Sequence, residues 1–133
     1  MNSFIARVSD IQNVESLNIV LFDFYGKSLS MMSLDLNENI KIGVRVKLIV
    51  KPTHVFITKD VDSTVSCANR LQANIVAVEN GQLLSTLRLG LQEGELESIV
   101  TREMSNVMNL RVGDKVTAFI QESELSIGEI LDD

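Results

Sequence analysis

Apolar and polar residues alternate through Phe4-Ala6-Val8 and again through Val46-Leu48-Val50, the period-two pattern of strands that bury one face. Short Val-, Ile- and Leu-rich runs bounded by turn residues complete the picture. They predict five strands at 3–11, 17–24, 29–34, 46–50 and 54–58. Tyr25-Gly26-Lys27 and Ile42-Gly43 read as turns, and Asn37-Glu38-Asn39 as one helical turn. A second set follows, at 70–79, 83–89, 96–101, 115–121 and 124–128. Here Gly90-Leu91-Gln92-Glu93-Gly94 reads as a longer hairpin loop. Residues 102–109 predict a short helix that ends before Leu110-Arg111-Val112-Gly113-Asp114.

The two sets are one unit written twice. Asn2, Ala6, Val8, Ile11, Leu17 and Val20 recur 67 positions later as Asn69, Ala73, Ile75, Val78, Leu84 and Leu87. After an indel of three residues, Gly43, Val46, Val50, Thr53, Val55 and Ile57 recur 70 positions later as Gly113, Val116, Ile120, Ser123, Leu125 and Ile127. Five short strands with a short helix before the fourth is the pattern of a small OB-like barrel. The expected fold is therefore mainly β: two tandem OB-like five-stranded barrels, each with one short helix. The expected organisation is a first repeat at 1–58, a linker at 59–65, a second repeat at 66–128 and an acidic tail at 129–133.

Composition adds a need for neighbours. A unit of about 55–60 residues buries only about 60% of the surface its unfolded chain exposes. The repeats are thus expected to lean on each other or on other subunits, making a homo-oligomer. Hydrophobic residues make up 45% of the 133 positions, enough for a core, while a net charge of −6 argues against a nucleic-acid or other polyanion binder. No apolar run approaches the ~18–20 residues of a membrane span, and the first residues lack the basic and apolar regions of a signal peptide. With a single cysteine, Cys67, the chain forms no internal disulfide. The expected location is the cytoplasm.

Catalytic chemistry finds little support. CxxC, HExxH, GxSxG and a Gly-rich phosphate loop are all absent from the sequence, and the chain is not expected to be an enzyme. His54, the single histidine, reads as structural or exposed. Cys67 reads as a small packing residue, because no second histidine is present to activate it. Met31, Met32, Met104 and Met108 suit core or interface filling, and Glu93, Glu95 and Glu97 a solvated hairpin face.

A different chemistry is present. Lys51-Pro52-Thr53 ends the fourth strand with a cation and a hydroxyl. Ser66-Cys67-Ala68-Asn69 offers a hydroxyl, a carboxamide and small residues whose backbone amides can be approached closely. Ser33 and Thr101 add hydroxyls after the third strand of each repeat. Hydroxyls, amides and one ammonium suit a tetrahedral dianion such as molybdate, tungstate or sulfate, whose oxygens only accept hydrogen bonds. No metal cation ligands are implied.

The segment Ser66-Cys67-Ala68-Asn69-Arg70-Leu71-Gln72-Ala73-Asn74-Ile75-Val76-Ala77-Val78-Glu79-Asn80-Gly81 resembles the opening of a molybdenum-binding Mop, or TOBE, domain. Val100-Thr101-Arg102-Glu103, Leu110-Arg111-Val112-Gly113-Asp114-Lys115-Val116 and Ala118-Phe119-Ile120 follow the same pattern. In the first repeat, Val46-Lys47-Leu48-Ile49-Val50-Lys51-Pro52-Thr53-His54-Val55 resembles the closing strand pair. Order and duplication together resemble a di-Mop molbindin. The resemblance implies molybdate or tungstate as bound ligand and a closed oligomer, a trimer for a tandem chain, with anions at subunit interfaces.

It also implies ligand positions at Lys51, Pro52 and Thr53. The matching second-repeat residues are Gln121, Glu122 and Ser123, so a cation is lost and an acid gained. Thr101 keeps the family threonine, which Met31 replaces in the first repeat, leaving Ser33. Met104 stands where a serine is expected, and Ala68 where the family has an arginine. The expected good site joins the Lys51 region of one subunit to residues 66–69 of another. Two other classes of function differ in what they need. A regulatory TOBE module, acting on a transporter or transcription-factor partner, would have to act in trans. An OB-fold nucleic-acid binder needs a basic groove lined with stacking aromatics, whereas Phe4, Phe22, Phe24, Tyr25, Phe56 and Phe119 fall mostly on strand patterns suited to core.

Overall fold

The computed structural model describes residues 1–60 and 64–131 of the chain. The first half supplies β1 (Asn2–Val14), β2 (Leu17–Phe24), β3 (Lys27–Ser33), β4 (Arg45–Val50), a 3-10 turn (Pro52–His54) and β5 (Val55–Thr58). The second supplies β6 (Asn69–Asn80), β7 (Leu84–Leu91), β8 (Gly94–Thr101), helix α1 (Arg102–Val107), β9 (Lys115–Ile120) and β10 (Ser126–Leu131). Alternation behaves as the pattern requires. Asn2, Phe4, Ala6 and Val8 point inward from β1, and Asn69, Leu71, Ala73 and Ile75 do so from β6. The inward faces of both halves merge into one core that joins Phe22, Leu29 and Leu48 to Leu87, Leu96 and Leu125.

The strands do not sort by repeat. One sheet has the order β10-β4-β1-β2-β3 and the other β5-β9-β6-β7-β8. Each half therefore lends its fifth strand to the other. Val55 faces Ile120 and Thr58 faces Thr117 in one sheet, and Ile127 faces Leu48 in the other. The sheets therefore do not follow the expected boundaries at 58 and 66. Alternation could not reveal this, because both sheets offer an equally apolar inner face to an incoming strand.

Both sheets curl: in one the edge strands β5 and β8 meet, and in the other the edge strand β3 reaches the turn that leads to β10. Ser98 Oγ on β8 donates to the Val55 carbonyl of β5 at 2.6 Å, and the Met32 amide on β3 donates to the Glu122 carbonyl, just before β10, at 3.0 Å. Two buried asparagines clip one sheet to the other in the same way. Asn2 Nδ2 donates to the Glu97 carbonyl and the Glu97 amide to Asn2 Oδ1, both at 2.8 Å. Asn69 Nδ2 donates to the Ser30 carbonyl at 2.8 Å and the Ser30 amide to Asn69 Oδ1 at 2.6 Å. Asn2 and Asn69, like Ser30 and Glu97, lie 67 positions apart, so the clips are reciprocal about a pseudo-twofold axis.

The turns before the fourth strands repeat as closely. Gly43 and Gly113 have φ of 95° and 96°, and their amides donate to Val8 and Ile75 carbonyls at 2.8 Å. A Cβ there costs about 1–2 kcal/mol in the left-handed region. Gly113→Ala is expected to lower stability by about that much in urea titration, and an unchanged midpoint would contradict the reading.

Local details depart from the sequence expectation. The 90–94 loop is not long: Leu91 pairs with Gly94, leaving a two-residue turn, Gln92-Glu93, like Tyr25-Gly26 in the first half. The three extra residues lie instead between third and fourth strands, where the second half builds α1. Thr101 caps that helix by accepting from the Met104 amide at 3.1 Å. Among the described residues the first half has no matching α-helix; Asn37 anchors a tight turn there, accepting from the Ile40 amide at 3.0 Å. The 3-10 turn after β4 was not expected. Nor does the acidic end hang free, since Glu129, Ile130 and Leu131 pair in β10 with Lys47, Val46 and Arg45. Residues 61–63 of the expected linker and Asp132-Asp133 lie outside the described residues. Phe56 is not core: it is 44% exposed and stacks on Phe119, with centroids 5.1 Å apart. Tyr25 is exposed as well. Among the described residues no helix is long and apolar enough to cross a membrane.

Candidate functional site

Two equivalent turns carry most of the predicted residues. The first follows β4 and holds Lys51, Pro52 and Thr53; the second follows β9 and holds Gln121, Glu122 and Ser123. Each closes on one backbone bond, His54 amide to Lys51 carbonyl and Glu124 amide to Gln121 carbonyl, both 2.9 Å. Pro52 favours this geometry, because its fixed φ suits the start of a 3-10 turn and it has no N–H to satisfy. Lys51 and Thr53 are exposed, as are Gln121 and Ser123. The turns meet at their ends, where His54 Nδ1 lies 3.3 Å from Glu124 Oε2. Those two residues are 70 positions apart, so the contact straddles the pseudo-twofold axis.

The surroundings of the turns differ. β8, which ends in Thr101, packs along the 3-10 turn of the first, and Asn2 pairs with Val50 just before Lys51. The second turn is flanked by residues 66–69. Asn69 faces Ile120 in the sheet, and Cys67 Sγ lies 3.3 Å from the Ile120 carbonyl. Ser123 shares an open cavity of about 480 Å³ with Ser33, walled by Met31, Leu36, Ile40 and Leu125. Within one chain, residues 66–69 and Ser33 thus gather at the Glu122 turn, whereas Thr101 belongs to the side of the Lys51 turn. The pairing of Lys51 with residues 66–69 is not made inside the chain.

Individual side chains sort by what they already bond. Asn69 is wholly buried, and its carboxamide bonds to Ser30 at both ends and to the Ile120 carbonyl at 2.8 Å. No donor remains for an anion, so its side chain is a clip rather than a ligand, a correction to the sequence reading. Cys67 is buried; desolvation first, and then the neighbouring Glu122 carboxylate, push its thiol above the ordinary range. It is a packing group. Ser66 and Ala68 stay exposed, with a hydroxyl and an approachable backbone amide to offer. Ser33 Oγ donates to the Asp35 carbonyl at 2.5 Å. Thr101 uses its oxygen as a helix cap and keeps its hydroxyl proton to donate. Register also corrects one equivalence: Thr101 faces Leu84, so its first-half counterpart is Leu34, and Met31 corresponds to Ser98.

Sequence reading missed the clips and the His54–Glu124 contact. Signals existed for both: an asparagine at a buried period-two position in each half, and partners one repeat apart. Among the described residues no cluster of three or more His, Cys, Asp or Glu could hold a metal ion.

The family comparison falls on the second repeat: residues 66–127 match the TOBE domain. That segment supplies β6 to β9 of one sheet and the first two residues of β10 in the other. No curated protein sequence matches the chain. Among solved structures, the chain is similar to the cytoplasmic molybdate-binding protein ModG in a form with molybdate bound. It is 25% identical over 96% of this chain and 95% of that one, with a TM-score of 0.90. A fold shared at that level and a TOBE match are those of a binding protein.

Proposed function

We propose that this chain is a cytoplasmic binding protein for molybdate, and for tungstate by the same chemistry, serving storage or homeostasis without catalysis. The observation that carries the reading is the likeness to molybdate-bound ModG across 96% of the chain. The donor-rich turns support it. Lys51 and Thr53, and across the axis Ser66, Ala68 and Ser123, present ammonium, hydroxyl and backbone N–H groups to solvent, and a fully deprotonated tetrahedral oxyanion needs only such donors. In this reading the two curled sheets are OB-like barrels that have exchanged closing strands. The chain assembles as a homo-oligomer, a trimer, which brings the Lys51 turn of one subunit against residues 66–69 of another. The net charge of −6 does not prevent this, because charges beyond about 8–10 Å are screened.

Thermal denaturation with added anions tests the proposal. Ligand that binds the folded state stabilises by RT ln(1 + [L]/Kd), about 2.7 kcal/mol at a hundredfold excess over Kd. Molybdate and tungstate at millimolar concentration are expected to raise Tm. Phosphate is expected to raise it much less, because near neutral pH it retains a proton that a donor-only site leaves unpaired. No shift with either metal oxyanion would overturn the reading.

A further inference from the structure

We infer that the second half carries a separate ligand site, for a small organic carboxylate, in the hollow between β6, β7 and the start of β9. It stands apart from the oxyanion turns. Lys115 opens β9 and Gln121 follows its end, and six steps of strand at ~3.3 Å each put the two about 20 Å apart. The first half shows what the hollow replaces. There Arg45, Arg7 and Asp23 form one row across β4, β1 and β2. The same row in the second half is Lys115, Asn74 and Gly90, across β9, β6 and β7. Two cations and an acid have become one cation, one carboxamide and bare backbone. Gly90 does not have a positive φ, so the turn of the chain does not demand glycine there. A Cβ at this position would lie 3.0 Å from Val76 Cγ1 and 3.7 Å from the Asn74 carbonyl, and its absence leaves that floor open.

The hollow measures about 450 Å³, within the roughly 300–1,000 Å³ of small-molecule sites. Lys115, Gln72, Asn74 and Gln92 line it with an ammonium and three carboxamides, and among the described residues no acid lines it. Nor does any described residue bond the Lys115 ammonium. Gln72 Oε1 accepts from Thr117 Oγ1 at 3.4 Å, which leaves its amino hydrogens to donate. The acids adjacent in register and in sequence are taken. Glu95, opposite Gly90, meets Arg88 at 3.7 Å, and Asp114 meets Lys59 at 3.2 Å. Val76, 42% exposed, and Leu91 complete the wall with apolar surface. A carboxylate accepts the ammonium and carboxamide hydrogens on its two oxygens. A short alkyl body then covers Val76 and Leu91 and takes their surface out of water. Molybdate has no apolar part to place there.

Titration of the full chain with isobutyrate, followed through amide chemical shifts, tests the site, with isobutyramide as an uncharged control of the same shape. Isobutyrate is expected to give saturable shifts at Gly90, Asn74 and Lys115. Isobutyramide is expected to bind at least tenfold more weakly. K115A, which alters one exposed side chain, is expected to weaken isobutyrate at least tenfold and to leave molybdate affinity unchanged. G90D, which restores the acid of the first half, is expected to abolish isobutyrate binding; should it fail to fold, K115A decides. Absence of saturable shifts, equal binding of isobutyramide, or isobutyrate affinity undiminished in K115A would each overturn the inference. So would shifts confined to the 51–54 turn, or a loss of molybdate affinity in K115A, since either would place the carboxylate at the oxyanion site. None of these outcomes bears on whether molybdate binds.

Discussion

Replacing Asn69 with alanine is expected to destabilise the fold by about 3–5 kcal/mol. Its carboxamide is wholly buried and ties three backbone groups: the Ser30 amide, the Ser30 carbonyl and the Ile120 carbonyl. The Ile120 carbonyl keeps a second donor in the Cys67 thiol, so it is not orphaned. The two Ser30 groups lose the partner that Asn69 gives them, and each unsatisfied buried group costs about 1–3 kcal/mol. The small cavity left by the missing amide adds to the loss. Asn2→Ala removes the equivalent bonds to Glu97, but this site is 8% exposed and water can reach the freed groups, so about 1–3 kcal/mol is expected. Urea titration of both variants checks the order. A loss below about 1 kcal/mol for Asn69→Ala would show that the clip is incidental to the fold.

Lys51→Ala is expected to weaken molybdate binding roughly ten- to a hundredfold while leaving the assembly intact. Lys51 is exposed, and its turn is closed by the His54 amide donating to the Lys51 carbonyl rather than by the side chain, so the fold does not depend on its ammonium. A charge-assisted hydrogen bond to a dianion contributes about 1.5–3 kcal/mol, which is the source of that factor. Gln121→Ala, at the equivalent position, is expected to change affinity far less. If Lys51 merely meets a surface carboxylate, its removal changes little, because exposed ion pairs are worth under about 1 kcal/mol. Isothermal titration separates the two, and equal, negligible losses would place the anion elsewhere.

Much of this was legible in the residues. Alternation at Phe4-Ala6-Val8 and Val46-Leu48-Val50, with short apolar runs bounded by turn residues elsewhere, located the ten strands, because a strand that buries one face must alternate. The duplication predicted paired turns, and they coincide down to φ at Gly43 and Gly113. Strand exchange was not legible: β5 and β10 carry apolar residues that would satisfy either sheet, and the partner is chosen by the direction in which the preceding turn releases the chain. The three-residue indel was misplaced for a related reason. Gly90 and Gly94 look like loop residues, yet an extended hairpin tolerates them, and the insertion went where Thr101 could cap a helix. Of the site, residue types were readable and burial was not. Asn69 looked like a donor to solvent and proved to be fully engaged inside.

The exchanged fifth strands also fix when, during synthesis, the molecule can be finished. The outer edge of β4 stays bare until β10 emerges, since Leu48 waits for Ile127 and Val46 for Ile130. The first half leaves the ribosome early with an open hydrogen-bonding edge, which is the feature that invites pairing with a neighbouring nascent chain. Both halves are therefore expected to finish folding together, once β10 has emerged. Polysomes translating this message would also carry pairs of first halves able to capture one another's edges before their own last strand arrives.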